Sequence, residues 1–327
     1  MHKEFLMGNA AIALGAVAAG VNVVAGYPGT PSTEVLETIA KHRPDDVYVE
    51  WSVNEKAAME LAAGASYAGA RSMVTMKQVG LNVASDPLMS LEYVGIKGGM
   101  VILVADDPGP ISSQTEQDTR HFSRFSKLPC FDPSSAQEAY EMIQEAFEYS
   151  EKYGTPVFLR PTTRVCHGYA SIMVKDETEY THHQPEGFIK DSKRWVIFPR
   201  LSFMNHKKIE ARNQELSDIF SSYEKNTIHP SCDAFKDSKK GIATGGISYT
   251  YTMETLKKTG MVKTLKIATP HPFPEKLAVD FLSGLDEVLC LEELDPVIER
   301  ELIYICGKYH LPTRINGKLS GHTACAG

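Results

Sequence analysis

Tyr27-Pro28-Gly29-Thr30-Pro31-Ser32-Thr33-Glu34 follows an apolar run, residues 21–26, and has the composition of a sharp turn from a strand into a helix. Gly29 permits backbone angles that other residues rarely adopt, and Pro31 suits the first position of a helix. Thr30 has a side chain suited to the N-cap of that helix. The segment therefore predicts a strand, a tight turn and a helix in immediate succession.

A second motif, Asn54-Glu55-Lys56-Ala57-Ala58-Met59-Glu60, begins about one helix further along the chain. It places the Glu55 carboxylate at the start of an Ala-rich helix, residues 55–70, that contains Gly64 and Gly69. Small residues on a helix let another backbone or a flat ligand approach closely. Because open α/β sheets bind ligands at the carboxyl ends of their strands, the two motifs predict a cofactor site at such an edge.

Strands and helices alternate along the first half of the chain. Short continuous apolar runs predict buried strands, and the longer stretches between them have helical spacing. This alternation predicts an α/β fold with a mostly parallel, doubly wound sheet covered by helices on both faces. The predicted strands are residues 21–27, 47–51, 72–76, 99–105 and 156–160, and the predicted helices are residues 9–19, 33–42, 56–70, 85–95 and 135–153.

The composition changes near residue 175, where a charged, His-containing stretch replaces the alternating pattern. We predict a first domain over residues 1–175, a crossover segment over residues 176–240 and a second, smaller α/β domain over residues 241–327. The crossover is expected to include one solvated helix, residues 206–224. A chain of 327 residues exceeds the usual size of a single hydrophobic core, which agrees with two domains.

The overall composition is ordinary for a globular enzyme, with 43% hydrophobic and 23% charged residues and a net charge of −7. No Lys/Arg run forms a basic face, which argues against a nucleic-acid partner. The six cysteines include no C-x-x-C pair, which excludes a local zinc knuckle or ferredoxin-type cluster motif and is typical of reduced thiols. Residues 10–25 are too short and too rich in Ala and Gly for a membrane span, and no signal-peptide pattern is present. We therefore expect a cytoplasmic protein that binds neither nucleic acid nor membranes.

Four segments, taken in order, carry a specific combination of motifs. They are Gly26-Tyr27-Pro28-Gly29-Thr30-Pro31-Ser32, Val53-Asn54-Glu55-Lys56-Ala57, Lys77-Gln78-Val79-Gly80-Leu81-Asn82, and Asp106-Asp107-Pro108 through Ser112-Ser113-Gln114-Thr115-Glu116-Gln117-Asp118-Thr119-Arg120. Together they resemble the alpha subunits of indolepyruvate:ferredoxin oxidoreductases, which belong to the thiamin-diphosphate-dependent 2-oxoacid:ferredoxin oxidoreductases. The resemblance extends over nearly the whole chain and corresponds to the amino-terminal part of such a subunit.

The resemblance implies a pyrimidine-binding domain followed by a domain like the carboxyl-terminal domain of transketolase. It implies thiamin diphosphate and Mg²⁺, both shared with a pyrophosphate domain whose Gly-Asp-Gly motif this chain lacks. The implied reaction is oxidative decarboxylation of an aryl 2-oxoacid such as indolepyruvate, with coenzyme A as co-substrate and ferredoxin as electron acceptor. The [4Fe-4S] clusters would belong to the parent enzyme and not to this chain. A beta subunit and a homo-oligomer, at least a dimer, are the expected partners, and we expect this chain, as a truncated or split subunit, to be inactive alone.

In thiamin diphosphate enzymes a carboxylate forms a hydrogen bond with the aminopyrimidine ring and thereby activates the cofactor, and the resemblance assigns this role to Glu55. Burial of a Glu on a helix of small residues suits acid/base chemistry. The alternative is a Glu that only stabilises the helix macrodipole. For Thr30 the role of a simple cap stays open, and so does that of a surface lysine for Lys77. The expected cofactor-binding residues are Tyr27, Pro28, Gly29, Thr30, Gln78, Gly80 and Asn82.

Residues 106–122 form a long polar loop, and such loops inside compact domains are usually functional. Arg120 can pair with a carboxylate substrate, or with Asp118 or Glu116 inside the chain. A solvated surface loop is the alternative. The candidates for contacts with substrate or with another subunit are Lys77, Ser113, Gln114, Gln117, Asp118 and Arg120.

Other features carry less information. His121, His167, His182 and His183 lack the spacing of metal ligands on a helix, so no metal site is predicted in this chain. Gly245-Gly246 after a strand is weak evidence for a phosphate cradle, and Glu292-Glu293 is expected to support assembly. Two rival functions stay open: half of a non-redox thiamin diphosphate decarboxylase or synthase, and a catalytically silent subunit that assembles or regulates a partner.

Overall fold

A computed structural model describes residues 1–326 of the chain, so the last position of the expected second domain lies outside the described residues. The strands are, in chain order, β1 (His2–Met7), β2 (Val23–Gly26), β3 (Tyr48–Trp51), β4 (Ser72–Lys77), β5 (Met100–Ala105), β6 (Cys130–Phe131), β7 (Val157–Leu159), β8 (Tyr169–Val174), β9 (Thr227–His229), β10 (Lys240–Gly245), β11 (Lys263–Ile267), β12 (Glu287–Leu291) and β13 (Arg314–Asn316). The helices are α1 (Gly8–Ala18), α2 (Thr33–His42), α3 (Glu55–Tyr67), α4 (Gln78–Val94), α5 (Arg120–Phe125), α6 (Ala136–Tyr153), α7 (Thr163–Cys166), α8 (Ser192–Trp195), α9 (Pro199–Phe220), α10 (Gly246–Thr259), α11 (Glu275–Leu282) and α12 (Val297–Tyr309).

The first sheet has the strand order β3-β2-β4-β5-β7-β6, and every pairing in it is parallel. Apolar side chains of α1, α2 and α6 cover one face, among them Ile12 and Phe147. Side chains of α3 and α4, such as Met59 and Leu88, cover the other face. This is the predicted doubly wound α/β fold. Because β3 and β4 lie on opposite sides of β2, the direction of strand addition reverses between β2 and β4, which is where such sheets bind ligands.

The second sheet has the order β13-β12-β10-β11-β9 and is parallel except for β9, which runs antiparallel to β11. Side chains of α11 and α12, such as Phe281 and Leu302, form its core. β9 lies inside the segment expected to be a crossover, so part of that segment belongs to the second sheet. The domain limits themselves stay a prediction.

A third, two-stranded sheet joins β1 to β8 in antiparallel register, from His2 opposite Val174 to Met7 opposite Tyr169. The sequence analysis predicted neither strand. It also missed the short strands β6, β9 and β13, because two or three residues are too few to establish an alternating pattern.

Two predicted helices differ from the structure. The helix expected over residues 85–95 begins at Gln78, since Leu81, Ala84, Leu88 and Leu91 form one buried face that outweighs the loop-like composition before Pro87. The helix expected to be solvated over residues 206–224 is α9, which starts at Pro199 and buries Leu216 and Phe220 in the core of the first sheet.

Candidate functional site

The turn after β2 closes through side-chain hydrogen bonds to Gly29. The Ser32 hydroxyl donates to the Gly29 carbonyl at 2.9 Å, and the Gly29 amide donates to the Thr33 hydroxyl at 2.9 Å. Helix α2 starts at Thr33, with Ser32 in the N-cap position. The expectation that Thr30 is the N-cap and Pro31 the first helical residue was therefore wrong, because the turn uses two more residues than predicted.

Gly29 lets the turn approach the end of β4. A Cβ atom at this position would lie 3.0 Å from both Cγ and Cδ of Lys77, which is closer than most side chains tolerate. The Lys77 stem therefore lies over the turn. Tyr27, also expected at the site, is 40% exposed beside it.

Glu55 is the first residue of α3, and only 8% of it is exposed. The helix start is fixed by Asn54, whose side-chain oxygen accepts a hydrogen bond from the Ala57 amide at 2.9 Å. Within residues 1–326 the Glu55 carboxylate forms no hydrogen bond or ion pair, whereas every other buried carboxylate of those residues has a partner. Its oxygens keep contact with solvent, because neither is among the fully buried polar atoms that lack a partner. The carboxylate is therefore available to a ligand, and it is the strongest mark of a ligand site in the described chain.

Gly80 makes room for that carboxylate. A Cβ atom at Gly80 would lie 2.5 Å from Glu55 Oε1 and 2.7 Å from its Cγ. Gly80 lies in the first turn of α4, so the carboxylate of one helix rests against the amino-terminal turn of the next. The two predicted site residues are in direct proximity.

Three polar contacts attach residues 106–122 to the start of α4. Lys77 Nζ donates to Gln114 Oε1 at 3.3 Å, and Gln78 Nε2 donates to the Thr115 carbonyl at 3.2 Å. Asn82 Nδ2 donates to Gln117 Oε1 at 3.0 Å. Residues selected from two separate motifs thus meet at one sheet edge. Gln78 is fully buried and its Oε1 has no partner within residues 1–326.

Asp107 fixes the first part of this loop. Its carboxylate accepts hydrogen bonds from the amides of Ser112 and Ser113 at 2.8 and 3.0 Å and from the Thr163 hydroxyl at 2.7 Å. Burial acts to raise the pKa of Asp107, but these hydrogen bonds outweigh it and hold the pKa below its ordinary value. Ser113 is therefore held by its backbone.

Arg120 and Asp118 form a buried ion pair. Arg120 Nη2 lies 2.6 Å from Asp118 Oδ2, and Arg120 Nη1 lies 2.8 Å from Glu292 Oε2. Burial acts to raise the pKa of Asp118, but the positive charges of Arg120 and Arg160 outweigh it and lower that pKa. The intramolecular alternative for Arg120 is the one the structure shows: every guanidinium nitrogen donates to an acceptor within the chain, and the side chain is only 2% exposed.

Glu292 has a second function at the start of α12. Its carboxylate accepts hydrogen bonds from the amides of Val297, Ile298 and Glu299 at 3.0–3.1 Å. A carboxylate in that position satisfies amides that the helix leaves free and complements the helix dipole. Glu292 thus links the second sheet to Arg120 within the chain, and the role expected for the Glu292-Glu293 pair in assembly stays a prediction.

A neighbouring set of buried charges was not predicted from the sequence. Arg160 Nε donates to Asp106 Oδ2 at 2.7 Å, and its Nη1 lies 3.3 Å from Asp132 Oδ1. A signal was available, because an arginine closing a buried strand requires acidic partners. Asp132 also lies against Gly246: a Cβ atom at Gly246 would be 3.2 Å from Asp132 Oδ1. The start of α10 thus faces a carboxylate of the chain itself, which disfavours a phosphate cradle there.

One group of possible metal ligands occurs within residues 1–326, formed by Asp118, His121 and Asp295, whose ligand atoms lie within 4.8 Å of one another. Asp118 is already bound by Arg120, and His121 Nε2 lies 2.8 Å from Asp295 Oδ2. We interpret the group as an extension of the ion-pair network. No helix among the described residues is both long and apolar enough to cross a membrane.

Comparisons with known proteins agree on one family. A profile described as pyruvate flavodoxin/ferredoxin oxidoreductase, thiamine diphosphate-binding, matches residues 14–229. Over 324 residues the chain is 43% identical to the indolepyruvate oxidoreductase subunit IorA of Methanothermobacter thermautotrophicus, covering 98% of this chain and 51% of that protein. Over 323 residues it is 40% identical to the subunit of the same name from Pyrococcus horikoshii, covering 97% and 49%. The chain thus spans about half the length of these curated relatives.

Solved structures share the fold. A 2-oxoglutarate:ferredoxin oxidoreductase from Magnetococcus marinus, with 2-oxoglutarate, coenzyme A and succinyl-CoA bound, aligns with a TM-score of 0.76 at 17% identity over 96% of this chain and 62% of that chain. A split-gene transketolase, an inactive beta4 tetramer, aligns with a TM-score of 0.60 at 15% identity over 95% and 87%. At these identities the similarity establishes the fold alone.

Proposed function

Because the chain belongs to the pyruvate flavodoxin/ferredoxin oxidoreductase family, we propose that it supplies the aminopyrimidine side of a thiamin diphosphate site in an aryl 2-oxoacid oxidoreductase. The names of its relatives favour indolepyruvate as the substrate. The reaction would release CO₂, transfer the acyl group to coenzyme A and pass electrons to ferredoxin. The Mg²⁺ ion and the [4Fe-4S] clusters would be held by other parts of the assembled enzyme.

The observation that carries the proposal is the unpartnered Glu55 carboxylate, 8% exposed at the start of α3. Glu55 would form a hydrogen bond with a ring nitrogen of the aminopyrimidine and hold a proton there. Gly80 keeps the carboxylate in place without steric conflict. When bound, thiamin diphosphate supplies the nucleophilic carbon and the electron sink that decarboxylation of a 2-oxoacid requires.

The surrounding residues fit the same ligand. The turn at residues 27–30 and the first turn of α4, with Gln78 and Asn82, lie at the adjacent ends of β2 and β4. The partnerless Gln78 Oε1 is a second buried group that a ligand can satisfy. Lys77, Gln114 and Gln117 are at the same edge and would face the substrate side. A beta subunit and at least a dimeric assembly would complete the site, and the cytoplasm is the proposed location.

The test uses Glu55→Gln in the assembled enzyme, extended to full length and combined with its partner subunit. We expect 2-oxoacid-dependent viologen reduction, with thiamin diphosphate, Mg²⁺ and coenzyme A, to fall by a factor on the order of 100 or more, as for other losses of acid/base catalysis. Glu60→Gln, an exposed position on the same helix, should retain activity. Circular dichroism should show both variants folded. Full activity of Glu55→Gln would disprove the assigned role.

A further inference from the structure

Residues 187–208 form a surface that differs in charge from the rest of the molecule. The segment carries six Lys or Arg residues and one Asp, whereas the remaining chain carries 28 Lys or Arg residues and 40 Asp or Glu residues. None of the six cations forms an ion pair within residues 1–326, although Arg194 and Lys207 lie over the rings of Trp195 and Phe203. The expectation that no basic face exists was therefore wrong for this segment, because apolar residues separate the cations in the sequence and conceal the pattern.

The same surface exposes large apolar side chains between the cations. Phe203 is 61% exposed and Phe188 is 57% exposed. The others are Ile189, Val196, Ile197, Phe198 and Met204. An apolar patch of this kind, rimmed by charges, is typical of a protein interaction site. We name residues 187–208 the basic–apolar surface.

The basic–apolar surface is held firmly on the first domain. Arg194 Nη2 donates to the Ile96 carbonyl at 2.6 Å, and the ring of Trp195 lies 4.9 Å from that of Tyr67. Asn205 Nδ2 donates to the Tyr93 carbonyl at 2.8 Å. These contacts attach the segment to α3 and to the end of α4. A preorganised surface loses little conformational entropy on binding.

Two adjoining grooves cut into the surface. One has a volume of about 340 Å³ and lies between Lys193 and Lys208. The other, of about 480 Å³, also contains Lys208 and extends to Arg212. Cationic grooves that adjoin exposed aromatic side chains fit a protein face that carries acidic and apolar residues.

Other occupants are less compatible with the charges. A symmetric contact between two copies of the basic–apolar surface would bring two positively charged segments together. An anionic bilayer would attract the segment but repel the acidic remainder of the chain. A nucleic acid would likewise be attracted to the segment but repelled by the acidic remainder of the chain.

We propose that the basic–apolar surface docks an acidic, apolar face of the second subunit of the oxidoreductase. The inference rests on the proposed function, which supplies that subunit as a partner. Opposite charges would guide the encounter, and the apolar side chains would be buried in the complex. Association should therefore weaken as ionic strength rises.

The test measures association of the full-length chain with the purified partner subunit by biolayer interferometry. We expect Lys193→Glu/Lys208→Glu and, separately, Phe198→Ser/Phe203→Ser to weaken association at least about tenfold, the lower end of electrostatic steering effects. All four side chains are exposed, so both variants should melt at the temperature of the wild type.

The matched control is Lys236→Glu/Lys257→Glu, which introduces the same charge change at exposed positions beside the second sheet and should bind normally. Glu55→Gln should also bind normally, so loss of its activity would concern the proposed function alone. Equal association of all variants would overturn the inference, whatever their activity. It would also be overturned if the variants still bound the partner subunit but no longer self-associated. The same holds if they still bound the partner subunit but lost binding to phosphatidylglycerol vesicles or to an oligonucleotide.

Discussion

Glu92 shows how much one buried carboxylate depends on a single partner. It is 4% exposed, and its Oε1 accepts a hydrogen bond from Arg212 Nη2 at 3.2 Å, while Oε2 has no partner within residues 1–326. Burial raises the pKa of Glu92 to about 7, although Arg212 acts to lower it. The folded protein therefore holds a proton on Glu92 at pH values where the unfolded chain has released it.

This makes a pH-dependent stability difference predictable for Glu92→Gln. Between about pH 4.5 and 7 the wild type loses stability as pH rises, because only the unfolded state has ionised this group. The amide of the variant cannot ionise. Its free energy of unfolding should therefore rise by roughly 2–3 kcal/mol relative to that of the wild type when the pH is raised from 4.5 to 8, because one pKa unit corresponds to about 1.4 kcal/mol. Urea unfolding at both pH values measures the difference. Glu148→Gln, at an exposed position of α6, should show no comparable gain. A difference between wild type and Glu92→Gln that does not change with pH would contradict the assignment.

At the scale of elements, the placement of α3 against α4 determines the geometry at Glu55. In Gly80→Ala the new methyl carbon would lie 2.5 Å from the present position of Glu55 Oε1. The carboxylate would therefore have to move. A displacement of about 1 Å at a reacting group can reduce the rate on the order of 100-fold. We expect a loss of that size in viologen reduction by the assembled enzyme.

Gly64→Ala is the matched control for Gly80→Ala. Gly64 lies inside α3, and a Cβ atom there would meet nothing within 4 Å. The variant should be more stable by about 0.5–1 kcal/mol, because Gly is unfavourable in a helix interior. Its activity should be unchanged. If Gly80→Ala were as active as Gly64→Ala, the contact with Glu55 would have no role in catalysis.

Elements with strong local signals were predicted well. Helix α2 spans Thr33–His42, the residues predicted, because its apolar positions recur at helical spacing between a turn and an extended residue. The carboxyl ends of β2 and β4 were predicted to share a sheet edge, and the structure brings their motifs together there.

Features that depend on distant partners were not predictable in this way. The antiparallel pairing of β1 with β8 joins residues more than 160 positions apart. One of the acids that bind Arg120 is Glu292, which is 172 residues further along the chain. Local spacing contains no information about such contacts, so Arg120 stayed an open choice between a substrate and an internal partner.

On the scale of the whole molecule, buried charges and backbone hydrogen bonds join the two sheets. The Cys130 amide donates to the His271 carbonyl at 2.7 Å, and the Asp132 amide donates to the Ala268 carbonyl at 2.8 Å. Arg120 lies beside this junction and bonds to Glu292. The relative position of the two sheets therefore depends on groups that water does not reach.

Arg120→Ala should destabilise the protein by about 3–5 kcal/mol, because it removes the cation that binds buried Glu292 and the nearer of the two cations beside buried Asp118. Arg124→Ala, in the same helix as Arg120, removes an ion pair between an exposed arginine and the partly buried Glu301, and should cost less, about 1 kcal/mol. Guanidinium unfolding of both variants measures the two values. Similar costs for both would show that the junction does not depend on the Arg120 charge.

The β1–β8 ribbon also has a consequence for synthesis on the ribosome. β1 is translated before β8, and the residues that pair in the two strands are more than 160 positions apart. At roughly 5–20 residues per second, a ribosome needs on the order of ten seconds to cover that distance. During that time β2 to β5 can already pair, while β1 still lacks its partner strand. β1 thus joins the first domain after most of the parallel sheet has been made, and a nascent chain that ends before Tyr169 has no ribbon at all.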